Sequence, residues 1–164
     1  MSHQRMSGLL LHPTSLPGPG GIGSFGASAR QFVDFLHTSG QSLWQMLPLG
    51  PTGYGNSPYS CYSAFAGNPL LIDLNEIVEE GYLYAHELDG RLPADRVDFD
   101  EVKEYKLGLL RLAAGRFING NDKERKLEFW SFCDSSFWLH DYALFMACKE
   151  YFHEKPWNRW PEGL

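Results

Sequence analysis

GIGSFGASARQFVDFLHTSG, residues 21–40, joins a glycine-rich turn directly to an amphipathic segment. Its first six residues fit G-x-G-x-x-G, the spacing of a dinucleotide-binding loop. The remainder carries helix signals. Ser28 and Gln31 have capping-box spacing. Ala29, Phe32, Val33 and Leu36 recur at i, i+3, i+4 and i+7, one apolar face, and Gly40 is a suitable stop. Upstream, Ser7–Leu11 reads as a short buried strand stopped by Pro13. Downstream, Leu43–Leu47 reads as a second strand ending at Pro48. Residues 7–49 therefore predict a strand–helix–strand unit, a right-handed crossover between parallel strands.

The nucleotide reading fails on spacing. A dinucleotide fingerprint needs its first glycine at the end of the strand, but Gly21 stands ten positions after Leu11. Pro17 and Pro19 lie between, and they cannot continue a central strand. The acid expected about 20 residues further on is missing from LWQMLPL. No Gly-Lys-Ser/Thr ending of a phosphate loop is present either. The glycines then serve a loop that needs several positive φ angles, or one that lies close over a ligand cleft.

Beyond this unit, residues 50–69 form a second irregular stretch, GPTGYGNSPYSCYSAFAGNP. LLIDL, residues 70–74, is a third strand candidate, and NEIVEEGYL begins a short helix stopped by Gly81. Asp73, followed by Asn75 and Glu76, has the look of a helix cap. Residues 85–100 read as a polar connection, Glu101–Ile118 as a helix, and NGNDKER as its end. The run DKERK, 122–126, reads as a solvated surface. The remainder is helical, with Ser135 or Ser136 as cap for a segment reaching about Phe152. There Trp138, Tyr142 and Phe145 form one stripe and Leu139, Ala143 and Met146 the next, a pattern that fits core packing.

Composition narrows the function class. A hydrophobic fraction of 43% and a charged fraction of 21% over 164 residues describe a globular domain with a core. The net charge of −6, with no basic cluster, argues against nucleic acid or an anionic membrane surface as the main partner. No run approaches a membrane span of about 20 apolar residues, and MSHQRM is not a secretory leader. Cys61, Cys133 and Cys148 are too few and too scattered for a disulfide framework or a zinc site, which fits reduced thiols in a cytoplasm. No cofactor and no metal is called for.

The aromatic content, 15%, points elsewhere. Tyr54, Tyr59 and Tyr62 stand among Gly53, Gly55, Asn56, Ser57, Pro58 and Ser60. A tyrosine ring can cover the C–H face of a sugar while its hydroxyl and neighbouring Asn and Ser side chains satisfy the sugar's hydroxyls. The same tyrosines can equally anchor the loop to the core. Both irregular stretches follow a strand's C-terminal end, the edge where α/β proteins bind ligands. His12, just after the first strand, could face such a cleft or cap a turn.

Three blocks, LLLHPTSLPGPGGIGSFG, WQMLPLGPTGYGNSPYSCYSAFAGNPLLIDL and WLHDYALFMACKEYF with the downstream WNRWP, closely resemble the amylomaltases. These are the 4-α-glucanotransferases, or disproportionating enzymes, of glycoside hydrolase family 77. The resemblance implies an α/β fold, the N-terminal portion of a (β/α)8 TIM barrel with helical insertions. It divides the chain into first βα units over 1–83, with substrate loops 12–27 and 50–69, and a mainly helical insertion region over 84–164. The barrel is incomplete in this chain, since such barrels need about 250 residues.

The resemblance also implies the chemistry: retaining transfer of α-1,4-glucan segments between maltooligosaccharides, by an aspartate nucleophile, a glutamate acid/base and a second aspartate. All three lie later in the family than anything here. No carboxylate of this sequence matches those motifs, so no catalytic residue is assigned and the chain alone is expected to be inactive. Substrate binding carries over. Tyr59 matches a tyrosine lining the cleft near the scissile bond. Asn56 and Ser57 share its loop, and some relatives have an acid where Asn56 stands. Tyr54 matches a tyrosine of a second glucan-binding groove. The alternative is a non-catalytic glucan-binding fragment.

Overall fold

Two compact units divide the chain, Met1–Gly120 and Asn121–Leu164. A computed structural model of the protein describes residues 5–90, 92–93 and 96–161. The polar run 1–6, the polar connection 85–100 and the end of the chain after Pro161 therefore fall partly outside the described residues.

In the first unit, strand β1 (Gly8–Leu10) pairs in parallel with β2 (Leu43–Gln45), placing Leu9 opposite Trp44. Both strands are shorter than the sequence pattern, but single hydrogen bonds extend the pairing at either end. Ser42 N donates to Ser7 O, and Leu11 N to Gln45 O. Gly8 sits against the Leu43 backbone so closely that a Cβ would overlap it. The strands are unusually open for a parallel pair, with Leu9 at 40% and Leu10 at 58% exposure.

Helix α1 (Ala27–Thr38) connects them. It does not begin at the expected Ser28 capping box. Gly26 is the N-cap, without a side-chain cap, and Ser28 lies inside the first turn. The reason is tertiary: the Asp73 carboxylate lies against Gly26, where a Cβ would collide with it. An anion at a helix N-terminus is favourable. The C-terminus ends as the sequence indicates. Gly40 has φ +72, its N–H donates to His37 O, and Gln41 N donates to Leu36 O, a Schellman closure. Of the apolar face, Ala29 and Leu36 are buried and Val33 is exposed, while Phe32 packs edge-on to Trp44 at 4.8 Å between centroids.

LLIDL is not a strand. Pro69–Leu71 forms one 3-10 turn, opened by Asn68, whose side chain accepts from Leu70 N. Its carbonyls turn to a lysine instead of a neighbouring strand: Lys106 Nζ donates to Leu70 O and Ile72 O, both at 2.7 Å. Asp73 then caps α2 (Leu74–Glu79), accepting from Asn75 N and Glu76 N, and Gly81 with φ +81 follows its end. The long helix α3 (Phe99–Asn119) starts two residues early because Asp98 caps it. The core forms between α2, α3 and the loops. Leu74, Leu83, Tyr105 and Ala113 make one buried cluster, and Ile22, Leu70 and Val102 another.

The second unit holds α4 (Lys123–Ser135) and α5 (Leu139–Tyr151). The run 122–126 is not only solvated surface, since Asp122 accepts from Arg125 N and starts α4. Neither Ser135 nor Ser136 caps α5: Ser136 closes α4, and Trp138 precedes α5 without a side-chain cap. The stripe Trp138, Tyr142 and Phe145 is half-buried within this unit, with Trp138 against Tyr142 and Trp160 against Phe145 and Phe152. Among its described residues Lys149 is buried, 3.1 Å from the Glu154 carboxylate. All three cysteines are free, and Cys133 and Cys148 are half-buried.

Candidate substrate loop

The loop over 50–69 folds back on itself before it offers anything to a ligand. Thr52 and Cys61 face each other in an antiparallel bridge, Gly53 N donates to Ser60 O, and Tyr62 N donates to Pro51 O. A Cβ at Gly53 would lie 3.0 Å from Ser60 O and 3.1 Å from the Tyr62 ring, a tight fit that favours glycine. The tip is a 3-10 turn, Tyr54–Asn56, with two consecutive left-handed residues, Gly55 at φ +75 and Asn56 at φ +54. Glycine and asparagine tolerate that region best.

This framing brings Tyr54, Asn56, Ser57 and Tyr59 onto one short turn and divides their roles. Tyr54 is 99% exposed and Tyr59 74% exposed, so neither ring anchors the loop to the core. Tyr62 is half-buried against Gly53 and does serve the loop. Ser57 Oγ accepts from Tyr59 N, fixing the second tyrosine's backbone. The Asn56 side-chain oxygen is already engaged by Lys103 Nζ at 2.6 Å. Its amide N–H2 group is the half left to meet an acceptor. The sequence pattern did not single out Lys103. The one signal was its place three residues before Lys106 on an otherwise apolar helix face.

The other long loop is packed inward. Gly20 to Ser24 are all buried. Only Gly21 of GIGSFG has a positive φ, which corrects the expectation of several. The remaining glycines are fixed by close approach: Gly23 lies against Pro13 O and Leu16 O, and Gly26 against Asp73. Ser24 Oγ donates to Asp73 Oδ2 at 2.6 Å, and Lys106 stands beside this pair, 1% exposed. Burial brings the Lys106 ammonium down to about 8, opposed by the negative charge of Asp73. His12 caps the turn Pro13–Ser15, with Nδ1 2.7 Å from Thr14 Oγ1 and Nε2 3.4 Å from Pro48 O.

One further ion pair braces the region 82–87. Arg116 binds Glu87 through both guanidinium nitrogens, at 2.6 and 2.7 Å, donates to Tyr82 O, and lies 4.7 Å over the Tyr84 ring. The Arg116 hydrogen bonds, with the Tyr84 N–H, hold the Glu87 carboxyl at about 2.

Two surface concavities lie apart from this turn. One of about 450 Å3 is bounded by Phe25, Leu49, Ile72, Asp73 and Ile77, and one of about 350 Å3 by Thr14, Pro17, Ile22, Arg96 and Val97. Neither includes the tyrosines, which project from a turn. Among the described residues no group of three His, Cys, Asp or Glu side chains could hold a metal, and no helix is long and apolar enough to cross a membrane.

Residues 11–164 match the family model described as 4-alpha-glucanotransferase. The 4-alpha-glucanotransferase of Synechocystis is 49% identical over the whole of this chain and 33% of its own length. That of Thermus thermophilus is also 49% identical, over 100% of this chain and 33% of its own. Among solved structures, amylomaltase from Streptococcus agalactiae in complex with acarbose superposes with a TM-score of 0.86 at 38% identity, covering 97% of this chain and 32% of that one. The chain thus spans about a third of the length of these relatives. It has a mixed α/β partial fold matching amylomaltase over that third.

Proposed function

From a chain that belongs to the 4-alpha-glucanotransferase family, we propose a glucan-holding segment of an enzyme that moves α-1,4-glucan chains between maltooligosaccharides. The complete enzyme works by double displacement with retention. The observation that carries this reading is the turn at 54–59, which spends its hydrogen bonds on its own rigidity and leaves two tyrosine rings free. Rings fixed in that way can lie along the apolar face of a glucose unit at little entropic cost. Tyr59 lies near the scissile bond and Tyr54 on a second groove. Ser57 and the Asn56 amide N–H2 group meet sugar hydroxyls. No cofactor, nucleic acid or membrane enters this proposal, and its setting is the cytoplasm.

We likewise infer the architecture. Residues 1–83 are the first βα units of a (β/α)8 barrel, and residues 84–164 are helical insertion. The parallel pair β1–β2 with its connecting helix supports this, as do exposed Leu9, Leu10, Val33 and Phe35, which a continuing barrel would cover. Retaining transfer needs two carboxyl groups about 5 Å apart across the bond. This chain offers no carboxylate matching the family's catalytic motifs, so its part is holding glucan. A stand-alone glucan-binding role is favoured over catalysis for the isolated 164 residues on that ground. Titration with maltooligosaccharide, with Tyr54→Ala and Tyr59→Ala as controls, tests the binding role. Glucose release from maltotriose tests catalysis and is expected to be nil for this chain alone.

A further inference from the structure

We propose that Lys103 is a positioning residue for the tyrosine turn: through Asn56 it locks the tip that presents Tyr54 and Tyr59. This inference rests on the glucan-holding reading and adds a residue that the substrate motifs do not contain.

The tip places two residues in succession in the left-handed region, Gly55 and Asn56. Such a turn has little intrinsic preference for one conformation, because glycine is permissive and asparagine only tolerates positive φ. The other bonds at the tip are local. Asn56 N donates to Gly53 O, Ser60 N to Ser57 O and Tyr59 N to Ser57 Oγ. They shape the turn, but they do not tie it to a separate element. Lys103 does. Its Nζ reaches Asn56 Oδ1 at 2.6 Å across 47 residues, in a half-buried position.

The other end of that tie is firm. Lys103 stands on α3 between Val102, 1% exposed, and Tyr105, 6% exposed. One turn further along the same face, Lys106 holds Leu70 O and Ile72 O, just past the loop's C-terminal end. Lysines three residues apart on one face of α3 thus hold the loop at its tip and at its exit. A charge-assisted bond to an amide oxygen is stronger than a neutral one. Its cost is one acceptor of Asn56, which is then unavailable to a sugar.

The experiment measures maltoheptaose affinity and amide exchange over 54–60 in the 164-residue chain and four variants: Lys103→Met, Asn56→Asp, Lys103→Met with Asn56→Asp, and Tyr59→Ala. Lys103→Met should weaken sugar binding by roughly 3- to 10-fold, in line with a charge-assisted hydrogen bond, and speed exchange at 56–60 with the melting temperature unchanged. Asn56→Asp should keep exchange at 56–60 slow, because the lysine pairs with the carboxylate, whereas the double variant should exchange fast. A purely structural lysine would lower the melting temperature and leave affinity per folded molecule untouched. If Tyr59→Ala weakens binding and Lys103→Met does not, the positioning role is overturned while the glucan reading stands. If Tyr59→Ala has no effect, the glucan reading fails and takes this role with it. Unchanged exchange in Lys103→Met overturns the lock itself.

Discussion

Ser24 Oγ donates a 2.6 Å hydrogen bond to Asp73 Oδ2, joining residues 49 positions apart in a buried setting. The other oxygen of the same carboxylate caps α2, and the group lies against Gly26 at the start of α1. One side chain therefore fixes the origin of two helices and the inner end of the glycine-rich loop. Asp73→Ala should destabilise the first unit by about 1–3 kcal/mol, through a lost cap and an orphaned buried hydroxyl. Gly26→Ala should do comparable damage by displacing that carboxylate. Chemical unfolding of the two variants checks both. A loss under about 0.5 kcal/mol in each would remove Asp73 from this role.

Lys106 supplies a pH signature. Its folded pKa, about 8, lies below the ordinary lysine value of 10.5. Between those limits the unfolded chain binds more protons, so stability contributed by this group rises with pH from about 8 to about 10.5 and is constant outside the window. Below pH 8 both states are protonated and the burial penalty is present in full. Tyr105, raised by burial, acts in the opposite sense only above its ordinary value of 10. Lys106→Met should abolish the rise between pH 8 and 10 when denaturant midpoints are compared with the parent chain. A parallel rise in both would assign it to another group.

Glu87 sets the acid limb. Its carboxyl is held at about 2, below the ordinary 4.5, first by the Arg116 hydrogen bonds. A depressed acid contributes stability that is present above the unfolded pKa and is lost as pH falls through 4.5 toward 2. Glu87→Gln should therefore flatten the decline in stability across that range, with the difference from the parent chain greatest at neutral pH. Equal acid-unfolding curves would count against the bidentate pair as a contributor.

Exposed Leu9, Leu10, Val33 and Phe35 make a prediction for the chain in isolation. Open parallel strand edges and uncovered apolar faces invite association. Expressed alone, residues 1–164 should fold but self-associate as protein concentration rises. An elution volume that stays monomeric across a wide range of concentration would contradict this.

The sequence made the strand–helix–strand unit legible because period and punctuation agreed there: an apolar face from Ala29 to Leu36, closed by a glycine with the required positive φ. It misled where tertiary contacts overrode local signals. Ser28 has capping-box spacing, yet Asp73, distant in sequence, takes the approach to the α1 N-terminus. LLIDL has a strand's composition, yet its carbonyls are claimed by Lys106 from α3. The glycines of GIGSFG matched a phosphate loop by spacing and are in fact set by what packs against them. The tyrosine turn was legible by residue type, while Lys103 was not, since nothing local marks a lysine that reaches across 47 positions.

Titration of the 164-residue chain with maltoheptaose is the measurement that bears most directly on a glucan-holding tyrosine turn. Saturable binding with a Kd near 1 mM, about −4 kcal/mol, is expected for the parent chain and should disappear in Tyr54→Ala/Tyr59→Ala. No response from a folded sample at millimolar sugar, or an undiminished response in the double variant, would contradict the account.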